Sequence, residues 1–137
     1  FPRPQVLAGL EAADLKPLGF SRQKAEALVS LSRQVADNAI DLEGLGAMGD
    51  EEARSMLLRL RGVGRWTADY ALLRGLGRAA VFPRGDVGAR NRLQGLLHAR
   101  KPLDDEAIDR RLRDCPGFAG LVYIHLLLSG LCEEGRL

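Results

Sequence analysis

Apolar residues recur along this chain at the spacing of one helix face. Ala53, Met56, Leu57 and Leu60 form one such series, and Ala25, Leu28 and Val29 another. Ser21 is placed to cap the second series. Asp50 is placed to cap the first, with Glu51 and Glu52 adding negative charge to the opening turn. Asp14-Leu15-Lys16-Pro17-Leu18-Gly19 reads as a short turn of helix closed by its glycine. Further helices are expected from about Thr67 to Leu76, after Asp86 (carrying Val87, Leu93, Leu96 and Leu97), and after Pro102 (carrying Ile108 and Leu112). The last runs from Phe118 through Leu121, Val122, Leu126 and Leu128. It is apolar on more than one side, so burial by several neighbours is expected, with His125 inside it as a core histidine. No stretch alternates with the period of a strand. The pattern predicts an all-α chain of about seven or eight short helices with no internal boundary.

Composition narrows the class. A chain of 137 residues, 46% hydrophobic and 28% charged, suits one globular domain rather than a disordered segment. No apolar run reaches the roughly 20 residues of a membrane span. The two cysteines, Cys115 and Cys132, are too few for a disulfide framework or an iron–sulfur cluster within this chain, and they fit a reducing, cytoplasmic setting. A net charge of +2 is too mild to announce a nucleic-acid binder. Seventeen of the twenty basic residues are arginine, whose planar fork suits phosphate, although from composition alone a coding preference is the better explanation of the excess.

Candidate chemistry begins at Leu60-Arg61-Gly62-Val63-Gly64-Arg65-Trp66-Thr67-Ala68, between two helical patterns. Two glycines around one apolar residue permit a tight corner at positive φ and leave backbone amides uncovered. The following helix begins beside those amides, so its positive end adds to a cradle for phosphate. Val63 is placed to plug the corner into the core. A bare Gly-x-Gly is more often an ordinary helix–helix corner. About twenty residues on, Asp86 follows Pro83-Arg84-Gly85 at the start of a helix, where local sequence reads first as a plain cap.

The longer string Leu-x-Gly-Val-Gly-x-x-Thr-Ala resembles the helix-hairpin-helix of DNA repair glycosylases, an element that grips one strand by its phosphates without reading sequence. In the helix-hairpin-helix–Gly/Pro–Asp superfamily the catalytic acid lies at the distance Asp86 shows. The resemblance implies that Gly62, Val63, Gly64, Arg65 and Thr67 bind DNA and that Asp86 stabilises an oxocarbenium-like sugar. In members that also cut the strand, a lysine lies two residues beyond the last hairpin glycine. Trp66 stands there, and none of Lys16, Lys24 and Lys101 matches, so a monofunctional hydrolase is implied.

Phe1-Pro2-Arg3-Pro4-Gln5-Val6-Leu7-Ala8, Leu15-Lys16-Pro17-Leu18-Gly19 and Gly64-Arg65-Trp66-Thr67-Ala68-Asp69-Tyr70 are similar to the DNA-3-methyladenine glycosylase II family. The similarity implies a helix-hairpin-helix glycosylase fold, double-stranded DNA with alkylated bases as partner, and base flipping of a damaged purine. Trp66 and Tyr70 would wall the base pocket, one helical turn apart. An aromatic pair at that spacing packs a core about as often. Phe118 takes the part of a further pocket aromatic, in a segment where the family has an aromatic and an arginine and this chain has Gly117 and Ala119. No organic cofactor is implied. A structural Na+ or K+ would sit on the backbone carbonyls of Leu58, Leu60 and Val63. The family has further helices before the position of Phe1. Residues 1–137 are therefore expected to form a glycosylase domain incomplete at its N-terminus, with self-association or the missing segment covering apolar surface. The alternative is a truncated homologue or non-catalytic DNA-binding module, and a further one an all-helical interaction domain with an incidental glycine turn.

Overall fold

The computed structural model describes residues 2–133 and 135, so Phe1 of the opening Phe-Pro-Arg-Pro lies outside the described residues. The chain divides into two compact units, Phe1–Gly64 and Arg65–Leu137. Their border falls directly after the Gly62-Val63-Gly64 corner, where composition does not change.

The first unit holds α1 (Pro4–Ala8), a 3-10 helix (Ala12–Leu18), α2 (Arg22–Ala36), a second 3-10 helix (Glu43–Ala47) and α3 (Asp50–Leu58). Ser21 caps α2 as expected, its hydroxyl accepting from the Lys24 amide at 3.4 Å. Gly19 closes the first 3-10 helix at φ +85°, a conformation glycine adopts without strain. Leu15, Ala25 and Val29 are buried together, with Leu10, Ala12 and Leu28 against them. Arg33 of α2 ties down the start of the chain. Its Nε donates to the Ala8 carbonyl at 3.1 Å, and its Nη2 to the Leu10 carbonyl at 3.1 Å and Glu11 Oε1 at 3.0 Å. At α3 the expected cap shifts by one residue. The extended residue before the helix is Gly49, and Asp50 is the first helical residue, leaving Asp50, Glu51 and Glu52 in the opening turn.

The second unit holds α4 (Arg65–Gly75), α5 (Val87–Leu96), α6 (Asp105–Leu112) and α7 (Ala119–Glu133). Among the described residues no strand forms, so the all-α expectation holds. Leu73, Phe82, Ala89, Leu93, Leu103, Ile108, Tyr123 and Leu126 form its core. Each large side chain there contributes roughly 1.5–3 kcal/mol by leaving water. Asp86 and Asp104 cap α5 and α6, accepting from the amides of Ala89 at 2.9 Å and Ala107 at 2.7 Å.

Helix α7 reaches its place through glycine. The Gly120 amide donates to the Ala79 carbonyl at 2.7 Å. A Cβ there would meet Leu73 Cδ1 at 2.5 Å and the carbonyls of Val81 and Ala79 at 2.6 and 2.8 Å. Farther along, Gly130 leaves room for the Arg92 guanidinium from α5. The expectation of α7 buried on several sides is corrected. Gly120, Tyr123, Leu126 and Gly130 are buried, while Phe118, just ahead of the helix, and Leu121, His125 and Leu128 are exposed. His125 is therefore not a core residue. The apolar count along α7 exceeds what its neighbours cover. Among the described residues no helix is long and apolar enough to cross a membrane.

Candidate active site

The glycine corner closes the first unit. After α3 the Leu60 amide donates to the Leu57 carbonyl at 3.0 Å, and the Val63 amide to the Leu60 carbonyl at 3.1 Å. Leu60 is buried and Val63 only half-buried, so Leu60 rather than Val63 anchors the corner. Gly62 sits at φ +82°, and a Cβ on it would lie 2.7 Å from Ala27 Cβ, so both backbone and space require glycine. Gly64 differs from expectation. Its φ is not positive, and nothing stands within 4 Å of where a Cβ would point. Its role is openness, not conformation. The carbonyls of Leu58, Leu60 and Val63 are neutral oxygens, the donor class a monovalent cation takes, and that of Leu60 already accepts the Val63 amide. Among the described residues no group of three or more His, Cys, Asp or Glu could hold a metal ion.

Helix α4 opens the second unit directly after Gly64. Arg65 and Thr67 are exposed in its first turn, where amides lack helical partners. Arg65 Nε donates to Asp69 Oδ2 at 3.1 Å. Trp66 and Tyr70 are stacked, ring centroids 5.2 Å apart and planes 23° from parallel. Trp66 is 41% exposed, which sets it at the surface rather than in the core.

Asp86 stands where the loop from Val81 meets α5. Gly85 before it adopts φ +87°, and a Cβ there would lie 3.7 Å from Trp66 Cβ, so the loop passes close beside α4. The Asp86 carboxylate accepts at both oxygens, from the Ala89 amide at Oδ1 (2.9 Å) and from the Tyr123 hydroxyl at Oδ2 (2.7 Å). Trp66 Nε1 in turn donates to the Tyr123 hydroxyl oxygen at 3.1 Å. Burial by itself would push the Asp86 carboxyl up. The amides of Ala89 and Gly88, the Tyr123 hydroxyl and the Trp66 indole outweigh it and hold the group below the usual carboxylate range. Asp86 is therefore an anion at neutral pH. Tyr123 moves the other way, raised by burial and then by its bond to Asp86, and so stays a donor.

The loop carrying Asp86 is held from two further directions. Asp69, 1% exposed, accepts the Arg84 amide at 3.3 Å as well as Arg65. The Arg84 guanidinium grips both oxygens of Asp109 on α6, at 2.6 and 2.7 Å.

The second unit thus brings Trp66, Tyr70 and Asp86 together. Phe118 stands apart from the stacked rings, 60% exposed in the turn before α7. The residues that sequence reasoning passed over are Tyr123 and Asp69. A tyrosine inside an otherwise apolar helix was the available signal, because a buried hydroxyl needs a partner. Asp69 lies within the quoted motif but carries no spacing cue. Tyr123 also meets Tyr70 and Phe82 edge to face, at 6.2 and 5.4 Å.

Residues 1–116 match the HhH-GPD superfamily of base excision DNA repair proteins. The chain is 38% identical over 94 residues to the putative DNA-3-methyladenine glycosylase YfjP of Bacillus subtilis, covering 69% of this chain and 33% of that protein. It is 35% identical over 100 residues to DNA-3-methyladenine glycosylase 2 of Escherichia coli, covering 73% and 35%. Among solved structures, a 3-methyladenine DNA glycosylase from Archaeoglobus fulgidus superposes with a TM-score of 0.76 at 33% identity, over 93% of this chain and 42% of that one. The chain spans about a third of the length of these two curated relatives. With a match over most of its length, and an acid-bearing loop after a glycine corner, the chain belongs to the HhH-GPD superfamily of base excision DNA repair proteins.

Proposed function

We propose that this chain carries the catalytic acid and base-facing aromatics of a monofunctional DNA glycosylase acting on alkylated purines in double-stranded DNA. The observation that carries the reading is the Asp86 carboxylate, held ionised by the Ala89 amide and the Tyr123 hydroxyl within reach of the exposed, stacked Trp66. Relatives named as 3-methyladenine glycosylases support the substrate class.

In the reaction a flipped purine stacks against Trp66 and Tyr70. N3 alkylation makes the base cationic, so electron-rich rings favour it and it departs as a neutral molecule. The C1′–N bond breaks with its electron pair going to the base, and the deoxyribose takes up the positive charge. The Asp86 anion lowers the energy of that state. Water adds at C1′ and gives up a proton, leaving an abasic site and free base. Trp66 stands where a lyase would carry its amine, so no Schiff base forms and the strand stays whole. The glycine corner, with Gly62, Val63, Gly64, Arg65 and Thr67, supports binding through phosphates, and a Na+ or K+ on the carbonyls of Leu58, Leu60 and Val63 would add positive charge there.

Release of free methylated base from alkylated duplex is the test. Asp86→Asn retains a good helix cap but not the charge. It should fold normally, bind DNA and lose roughly 100- to 1000-fold in rate. Base release at the parent rate in this variant would reduce Asp86 to a cap. Salt-sensitive DNA binding without base release in the parent chain would favour a binding module.

A further inference from the structure

We infer that Tyr123 is the positioning residue for Asp86, its hydroxyl pinned by the Trp66 indole on one side and fixing one carboxylate oxygen on the other. The inference rests on the glycosylase reading for its consequence in catalysis, but not for its geometry.

Tyr123 is 0% exposed, so it cannot touch a nucleotide, and its effect must pass through the groups it holds. Its ring is fixed edge-on by Tyr70 and Phe82, and its backbone by α7, which Gly120 seats on Ala79. A phenol held this firmly has one direction for its proton. The indole N–H can only donate, so it occupies a lone pair of the hydroxyl and turns the O–H toward Asp86 Oδ2. The Ala89 amide holds Oδ1. With the Ala89 amide on one oxygen and the Tyr123 hydroxyl on the other, rotation of the carboxylate is restrained from both sides. The same indole forms part of the aromatic face, so one tyrosine links the wall for the base to the anion for the sugar.

The groups around Asp86 are few. From α4 come the Trp66 N–H and, beyond Tyr123, the Tyr70 ring; from α7, Tyr123 itself. From α5 come the amides of Gly88 and Ala89, with the Arg92 guanidinium behind them: its Nη1 and Asp86 Oδ1 both stand 3.3 Å from where a Gly88 Cβ would lie. The Arg84 charge is engaged by Asp109. Removing the Tyr123 hydroxyl takes away one of the bonds that lower the Asp86 carboxyl, so its titration must move to higher pH.

Trp66 is the chain's single tryptophan, which provides a readout independent of turnover. In the 15N-labelled chain its indole N–H resonance should follow the ionisation of Asp86, with a midpoint below the usual carboxylate range. In Tyr123→Phe that coupling should weaken and any remaining midpoint rise. On methylated duplex, Tyr123→Phe should lose roughly tenfold in kcat and shift the acid limb of the pH profile upward. KM should stay within about twofold of the parent. A resonance that titrates in Tyr123→Phe as in the parent overturns the inference. Should Tyr123→Phe fail to fold by circular dichroism, the parent chain decides: a Tyr123 Cζ resonance that follows the acid titration of Asp86 supports the linkage, and one that stays flat through it overturns the inference. If the titration moves as expected while the parent chain releases no base, the positioning stands and the glycosylase reading falls.

Discussion

Two glycine-bearing corners, Leu60–Gly64 and Pro83–Val87, do opposite things with the same residue type. The first is built to leave backbone open. Gly62 makes the turn, Gly64 keeps side chains away, and only Leu60 is buried to anchor it. The second is built to leave nothing loose. Gly85 brings the loop beside Trp66, Asp69 holds the Arg84 amide, Asp109 holds the Arg84 side chain, and Ala89 and Tyr123 hold Asp86. Under the proposed function the contrast is the one expected, since a surface that meets a repeating phosphate chain needs accessible amides, whereas a group that must face one carbon needs its rotations restrained. The contrast teaches that glycine content alone does not say which kind of corner a chain has made.

The comparison can be tested by substitutions in decreasing order of effect. Asp86→Asn stands first, with its loss of two to three orders of magnitude in base release. Gly120→Ala comes next, because its Cβ has no space against Leu73 and the carbonyls of Val81 and Ala79. It should cost about 1–3 kcal/mol, a fall in Tm of roughly 5–10 °C, and should disturb the Trp66 resonance through Tyr123. A thermal melt matching the parent would mean that α7 is not seated through this glycine. Gly64→Val follows. Nothing crowds that position, so the fold should persist while DNA binding weakens roughly fivefold, equally for every sequence, in a fluorescence anisotropy titration. A loss confined to one sequence would contradict an open corner. Arg84→Ala should be mildest. Its pairing with Asp109 is partly exposed, so stability should change by about 1 kcal/mol or less in urea unfolding.

Most of the fold was legible because helices announce themselves locally. Ser21, Gly19, Asp86 and Asp104 end or begin helices by bonds that reach only a few residues. The misreadings concern what lies beyond that reach. Gly49 and Asp50 are adjacent, and both suit a helix start. His125 and Tyr123 share an apolar helix, and which of them turns inward depends on α7 being seated by Gly120, a tertiary contact. Val63 and Leu60 are equally apolar, and only the completed turn decides which one is buried.

The candidate site divides the same way. Trp66, Tyr70 and Asp86 are singled out by the family resemblance rather than by local pattern, and the structure brings them together. Phe118 was placed by analogy to a segment this chain does not match, and it lies exposed. Tyr123 lies 37 positions beyond Asp86 and 57 beyond Trp66, so no local pattern could join the three. Asp69 had no signal beyond its place in the motif, since its work is to accept from Arg65 and from a backbone amide in a distant loop.

The arrangement at Arg33 gives the arginine excess a local meaning. One guanidinium serves two backbone carbonyls and a carboxylate on residues 8–11, a span that a single ammonium on a flexible stem does not match. Recoding the gene with lysine would therefore pass unnoticed at Arg22, which extends into water, and would unfasten the leading segment at Arg33.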